Sequence, residues 1–142
     1  MIEKKSLSLE EARKIAETAL QAAIETVPPG RPVCIAVVDP NGDLIYFVRM
    51  DGTVAGQLIM SMNKAYTSAR LTRDTLDLQK MVEKGEDLSW FGDSRYTPVP
   101  GGVLIKAKDG SALGAIGISG RPVMAPMGDE ELARIGAGTV QV

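Results

Sequence analysis

A handful of residues in this chain have the chemistry to hold a small anion or move a proton: Arg49, Asp51, Lys64, the Gly101-Gly102 pair and Arg121. Lys64 can bind a carboxylate, or act as an acid or base if burial lowers the pKa of its amine. Its plainer alternative is a stem lying along the core edge with the amine in water. Arg49 and Asp51 flank Met50, so on an extended strand they share a side. They can pair with each other, or Asp51 can orient Lys64; a structural salt bridge or a carboxylate ahead of the next helix is the alternative. Gly101-Gly102 can offer backbone N–H groups to an anion, or can simply begin a strand tightly. Arg121, directly after Ser119-Gly120, can clamp a carboxylate bidentately, or can serve a surface or a subunit contact. Tyr96, with Trp90 nearby, suits an aromatic lid or an interface. The expected catalytic pair is Lys64 and Asp51. The expected ligand contacts are Arg49, Gly101, Gly102, Arg121 and Tyr96.

The chain has no histidine. That excludes a histidine triad, a histidine-ligated metal and a histidine-ligated haem, and no metal site is expected. The single Cys34 falls inside an apolar run and reads as an inert buried thiol. Gly114, Gly117 and Gly120 lack the close G-x-G pair of a dinucleotide fingerprint, and no helix follows them. They read as close packing within a strand.

These groups need elements to position them. Residues 101–120 read as a β-hairpin, with Val103–Ile105 and Leu113–Ile118 joined by a Lys-Asp-Gly-Ser turn. Glycines inside its second strand imply that another backbone or a ligand comes close. Before it, residues 8–27 form a helix opened by a Ser8/Glu11 capping box and ended by Pro28-Pro29-Gly30. Residues 33–39 and 44–50 form two strands around Pro40-Asn41-Gly42-Asp43. Helices follow over 54–70 and 72–84, with Gly85 as the stop. The periodicity places Lys64 beside the buried face of the first of these. Residues 86–100 are a loop. After the hairpin an aperiodic link, 121–128, leads to a short helix capped by Asp129, and 139–142 form a tail. Strands joined by tight turns with segregated helices give an α+β fold around an antiparallel sheet.

A length of 142 residues suits one domain spanning 1–142. A net charge of −2 carries no basic footprint for nucleic acid. No apolar run approaches a membrane span, and the opening residues lack the apolar core of a signal peptide. A cytoplasmic protein with neither nucleic-acid nor membrane partners is expected.

The opening segment Leu7–Ala12 is followed by AVVDPNGDLIYFVRMDG (36–52), NKAYTSA (63–69), PGGVLI (100–105), LGAIGISG (113–120) and DEELARIG (129–136). In this order they resemble the GlcG/HbpS family, which includes the C-terminal domain of PduO-type proteins. The resemblance implies a profilin-like α+β fold and homo-oligomers from dimers to octamers. It links the chain to haem binding, to corrinoid or diol metabolism, and to glycolate utilisation. Two departures stand out. No histidine exists to ligate haem, although Met, Tyr or Cys ligation is chemically open. The link RPVMAPMG is longer and more apolar than in relatives, implying a reshaped pocket wall. The expected function is a small-ligand-binding protein of this type, taking haem or another small anion. The alternative is a cofactor-free lyase or isomerase acting on a small carboxylate.

Overall fold

A computed structural model of the chain describes residues 1–140. The first helix, α1 (Leu9–Glu25), starts as the capping box dictates: Ser8 accepts from the Glu11 N–H while Glu11 accepts from the Ser8 N–H. Its Ala12, Ile15, Ala16, Ala19 and Ala23 are buried. The strands β1 (Cys34–Val38) and β2 (Leu44–Arg49) pair antiparallel, as do β3 (Gly102–Lys106) and β4 (Ala112–Ser119). β4 also pairs with β1, giving one four-stranded sheet in the order β2-β1-β4-β3. β1 is buried along its whole length because it is central and covered on both faces.

The two faces are packed differently. On one, α1 and the last helix, α4 (Asp129–Ala137), cover large aliphatic side chains: Ile35, Val37, Ile105, Ile116 and Ile118. On the other, α2 (Gly56–Leu71) lies over β1, β4 and β3. Here the sheet presents Ala36, Ala115, Gly102 and Gly117, and α2 answers with Ala65 and Ala69. Gly102 and Gly117 face each other across β3 and β4. A Cβ at Gly117 would lie 2.5 Å from the Ala65 nitrogen and closer still to the Ser61 carbonyl, and one at Gly102 would overlap the Lys64 carbonyl. The approaching backbone inferred from the glycine pattern is therefore α2.

Several boundaries differ from the sequence reading. α2 begins at Gly56 rather than 54, and α3 (Thr75–Glu83) at Thr75 rather than 72. Thr72 adopts the left-handed conformation (φ 52°) and ends α2, which no sequence signal marks. The loop before the hairpin contains one 3₁₀ turn, Leu88–Phe91. Asp129 is not the cap of α4. Gly128 holds that position, and the Asp129 carboxylate is used elsewhere. Of the tail, Val140 packs against the core, and 141–142 lie outside the described residues. Among the described residues no helix is long and apolar enough to cross a membrane.

Candidate functional site

The carboxyl end of β4 is where the chain gathers its buried charge. Lys64, on α2, is 1% exposed and reaches through to the far side of the sheet end. Its Nζ donates to the Ile118 carbonyl at 2.8 Å and to Asp129 Oδ2 at 3.1 Å. Asp129, in the first turn of α4, is equally buried, and its carboxylate also accepts from the Arg121 N–H (2.9 Å) and the Gly120 N–H (3.3 Å). Burial pushes the Lys64 amine below its ordinary value, with Asp129 opposing the shift. Burial likewise pushes the Asp129 carboxyl up, opposed by Lys64 and the two backbone donors. Each charge thus depends on the other, together with the Ile118 carbonyl and the two backbone N–H donors, to stay ionised away from water.

Glu130 stands behind it. Its Oε1 accepts from the Gly101 N–H at 3.0 Å, and its Oε2 lies 2.7 Å from the Arg134 guanidinium, off the hydrogen-bonding direction. The Gly102 N–H goes to Thr75 Oγ1 at 2.9 Å. Both backbone donors expected to cradle an anion are therefore spent inside the protein. Gly101 (φ +120°) instead lets the chain pass the Lys64 amine, which would lie 3.0 Å from any Cβ there.

Arg121 is corrected in the same way. Its guanidinium donates to four acceptors of its own chain: the carbonyls of Ala23 (2.8 Å), Arg31 (2.7 Å) and Met127 (2.9 Å), and Thr26 Oγ1 (2.7 Å). A cation at the C-terminal end of α1 answers the helix's unpaired carbonyls and its dipole. Gly30 leaves the room: a Cβ there would sit 2.7 Å from Arg121 Nη1. The expected carboxylate clamp is a clasp joining α1, the loop after it and the link before α4.

In front of Lys64 and Asp129 lies a cleft of about 320 Å³. Ser119, Gly120, Gln57, Met60, Val99 and Arg31 complete much of its wall. The Ser119 hydroxyl meets the Gln57 side chain. Three cations (Arg31, Lys64, Arg121) and one carboxylate (Asp129) line it, an excess of positive charge. The remaining expected residues are not brought here. Asp51 lies in an exposed turn beyond the end of β2, so it neither shares a strand face with Arg49 nor partners Lys64; Asp129 does. Arg49 is exposed on β2, opposite Cys34, which in turn is opposite Ser119. Two strand spacings put it about 10 Å away.

Tyr96 does not line this cleft, although Val99, three residues on, does. It stacks on Tyr66 (centroids 5.7 Å), accepts from Arg70 Nε at 3.3 Å, and helps line a larger hollow of about 630 Å³. The Tyr66 hydroxyl is bonded to Asp93 and Arg95, and the Arg95 guanidinium lies 3.9 Å from its ring centroid. Trp90 is 87% exposed. Arg95 and then Tyr66 hold the Asp93 carboxyl well below the ordinary carboxylate range. Below about pH 4 the unfolded chain then takes up a proton that the folded one refuses, so this contribution to stability is lost as pH falls. Asp93→Asn should flatten the acid limb of a melting-temperature-against-pH curve between about pH 4 and 2. An unchanged limb would contradict it.

Sequence reasoning singled out Lys64 but not Asp129 as its partner, and passed over Arg31, Gln57 and Ser119. The one available signal was the run Asp129-Glu130-Glu131 opening a helix straight after an apolar link. Among the described residues no group of three or more His, Cys, Asp or Glu is placed to hold a metal ion.

A family model described as "Haem degrading protein HbpS-like" matches residues 7–137. A 15.0 kDa protein of the dhaT-dhaS intergenic region of Citrobacter freundii is 30% identical over 120 residues, 83% of this chain and 82% of that one. Protein GlcG of Escherichia coli K12 is 34% identical over 87 residues, 61% of this chain and 63% of that one. Among solved structures, a double mutant of Streptomyces reticuli HbpS superposes with a TM-score of 0.84 at 30% identity, over all of this chain and 92% of that one. A PduOC–haem complex superposes at 0.83 over 95% of each chain; at 22% identity it speaks to the fold alone.

Proposed function

This chain belongs to the HbpS-like family, and we propose that it is a small-ligand-binding protein whose ligand is a small anion held in the cleft at the end of β4. The observation that carries this reading is the buried Lys64–Asp129 pair opening onto a concave surface with an excess of positive charge. Replacing a buried ion pair by well-packed apolar groups is often neutral or stabilising, so packing alone does not call for a pair here. Retaining the pair is understandable if it also serves a guest. Lys64 has two of its three N–H groups engaged, leaving one donor; the Ser119 hydroxyl gives its proton to Gln57, so its oxygen is left to accept.

Haem, which the family's description brings forward, does not fit this cleft. A volume of about 320 Å³ is at the bottom of the range for small-ligand pockets. Met60 is the only sulfur ligand on its wall, and the chain has no histidine. The larger hollow suits haem better and supports it as a second reading. It joins the Tyr96 hydroxyl, a known haem ligand type, to Lys4, Lys5 and Arg70, which can face carboxylates.

One experiment separates the two. A ligand present at 100 times its Kd stabilises the folded state by about 2.7 kcal/mol. Acetate, malonate and phosphate should therefore raise the melting temperature of the wild-type protein, and Val123→Trp, which fills the cleft, should abolish the effect. Haem should give a saturable Soret shift lost in Tyr96→Phe if the second reading holds. If the small anions leave the melting temperature unmoved, the first reading fails.

A further inference from the structure

The expected clamp, Arg121, has no free fork, but its hydrogen bonds place a different arginine. Arg121 Nε holds the Arg31 carbonyl at 2.7 Å. Arg31 sits between Gly30 and Pro32, and a residue before proline is confined to extended backbone. Its main chain is therefore pinned from one side by the clasp and from the other by Pro32. Its own side chain is exposed and, among the described residues, makes neither a hydrogen bond nor an ion pair. Such an arginine, with its backbone anchored and its guanidinium unspent, is a poor investment for stability. It is available for recognition: the backbone is fixed, the guanidinium is free, and its rigid planar fork loses less entropy per hydrogen bond formed than a flexible ammonium does.

Its position adds a second reason. Arg31, Gln57 and Gly120 line both the cleft of about 320 Å³ and an adjoining one of about 220 Å³. The two are thus one groove, with Arg31 at the divide. The larger part carries Lys64, Asp129 and Ser119; the smaller is lined by Pro32, Gly52 and Val54. One end is polar, the other mostly apolar, and a guanidinium lies between them.

We infer that Arg31 is the anion-holding residue of this groove, and that the ligand class is a small carboxylate gripped bidentately by its guanidinium, with a polar substituent directed toward Lys64 and Ser119. This deepens the small-anion reading and rests on it. A carboxylate and a phosphate both match the fork of an arginine bidentately, but the Asp129 carboxylate on the same wall weighs against the more highly charged phosphate group. Lys64 cannot replace it, since Ile118 and Asp129 take two of its three N–H groups and the one left forms no fork. Arg121 acts one step removed, as a positioning residue.

The test is an NMR titration of the full chain with acetate, malonate and inorganic phosphate, following the Arg31 side-chain Nε–H and the Ser119 and Gly120 amides. The carboxylates should shift all three signals and should bind more tightly than phosphate. Arg31→Gln should weaken carboxylate binding at least tenfold, and Arg31→Lys should fall between, keeping charge but losing the fork. Both variants should melt with the wild type, because the side chain holds nothing in the free protein. If Arg31→Gln binds within twofold of wild type while the Ser119 and Gly120 amides still shift, the assignment to Arg31 is wrong and the cleft reading survives. If no probe moves the groove's signals, the cleft reading itself falls.

Discussion

Lys64→Met should destabilise the protein by about 3–5 kcal/mol, the usual cost of leaving one half of a buried ion pair behind. The substitution keeps much of the side chain's volume, so little of the loss comes from a cavity. What it removes is the only cation that, among the described residues, touches an Asp129 carboxylate that is 2% exposed. Asp129 keeps the N–H groups of Gly120 and Arg121, but two backbone donors do not replace a full charge. The Ile118 carbonyl loses its Lys64 donor at the same time. Urea unfolding measures the effect directly, with an unchanged m-value showing that the loss is in the native state. The double variant Lys64→Met/Asp129→Asn should recover most of it. The amide oxygen still accepts from Arg121, and no unpaired charge remains. A single variant that costs under about 1 kcal/mol would place the pair among surface-like ion pairs and contradict the burial on which the site's electrostatics rest.

The other large effect is Gly117→Ala. Its φ is not in the left-handed region, so alanine meets no backbone strain there. The added Cβ meets the Ser61 carbonyl and the Ala65 nitrogen, both part of the α2 main chain. A flexible side chain could step aside; a helix backbone cannot without lifting off the sheet. The expected cost is at or above the upper end of the about 1–3 kcal/mol typical of overpacking. Because α2 carries Lys64, ligand binding should weaken as well. Gly56→Ala is the matched control. Nothing lies within 4 Å of a Cβ at Gly56, the first residue of α2, and alanine is the better helix former. It should be neutral or stabilising. Equal losses from the two variants would show that glycine flexibility, and not the α2 approach, explains Gly117.

The α+β class and the antiparallel sheet were readable because they follow from local rules. Strand periodicity, an Asp-Gly turn, a capping box and a Pro-Pro-Gly stop each act over a few residues, and they agree. Even the glycines of β4 announced a close approach, since a strand interior has no other use for so many of them. Helix ends were less legible. Thr72 in the left-handed region and Gly128 as the cap of α4 obey tertiary demands that propensity does not encode.

The site divides along the same line. Composition alone determined that no histidine chemistry operates here, and residue type with helical position was enough to single out Lys64. Which carboxylate meets it was decided by the fold. Asp51 is 13 positions away in sequence and in an exposed turn; Asp129 is 65 away and 3.1 Å from the amine. The same holds for the arginines: Arg121 is named by its place after a glycine-rich strand, but only the folded chain brings four of its own acceptors to that guanidinium. A side chain's chemistry is a property of the residue and can be read from the sequence. Whether that chemistry is still available depends on which distant groups the fold presses against it, and spacing along the chain carries no record of that.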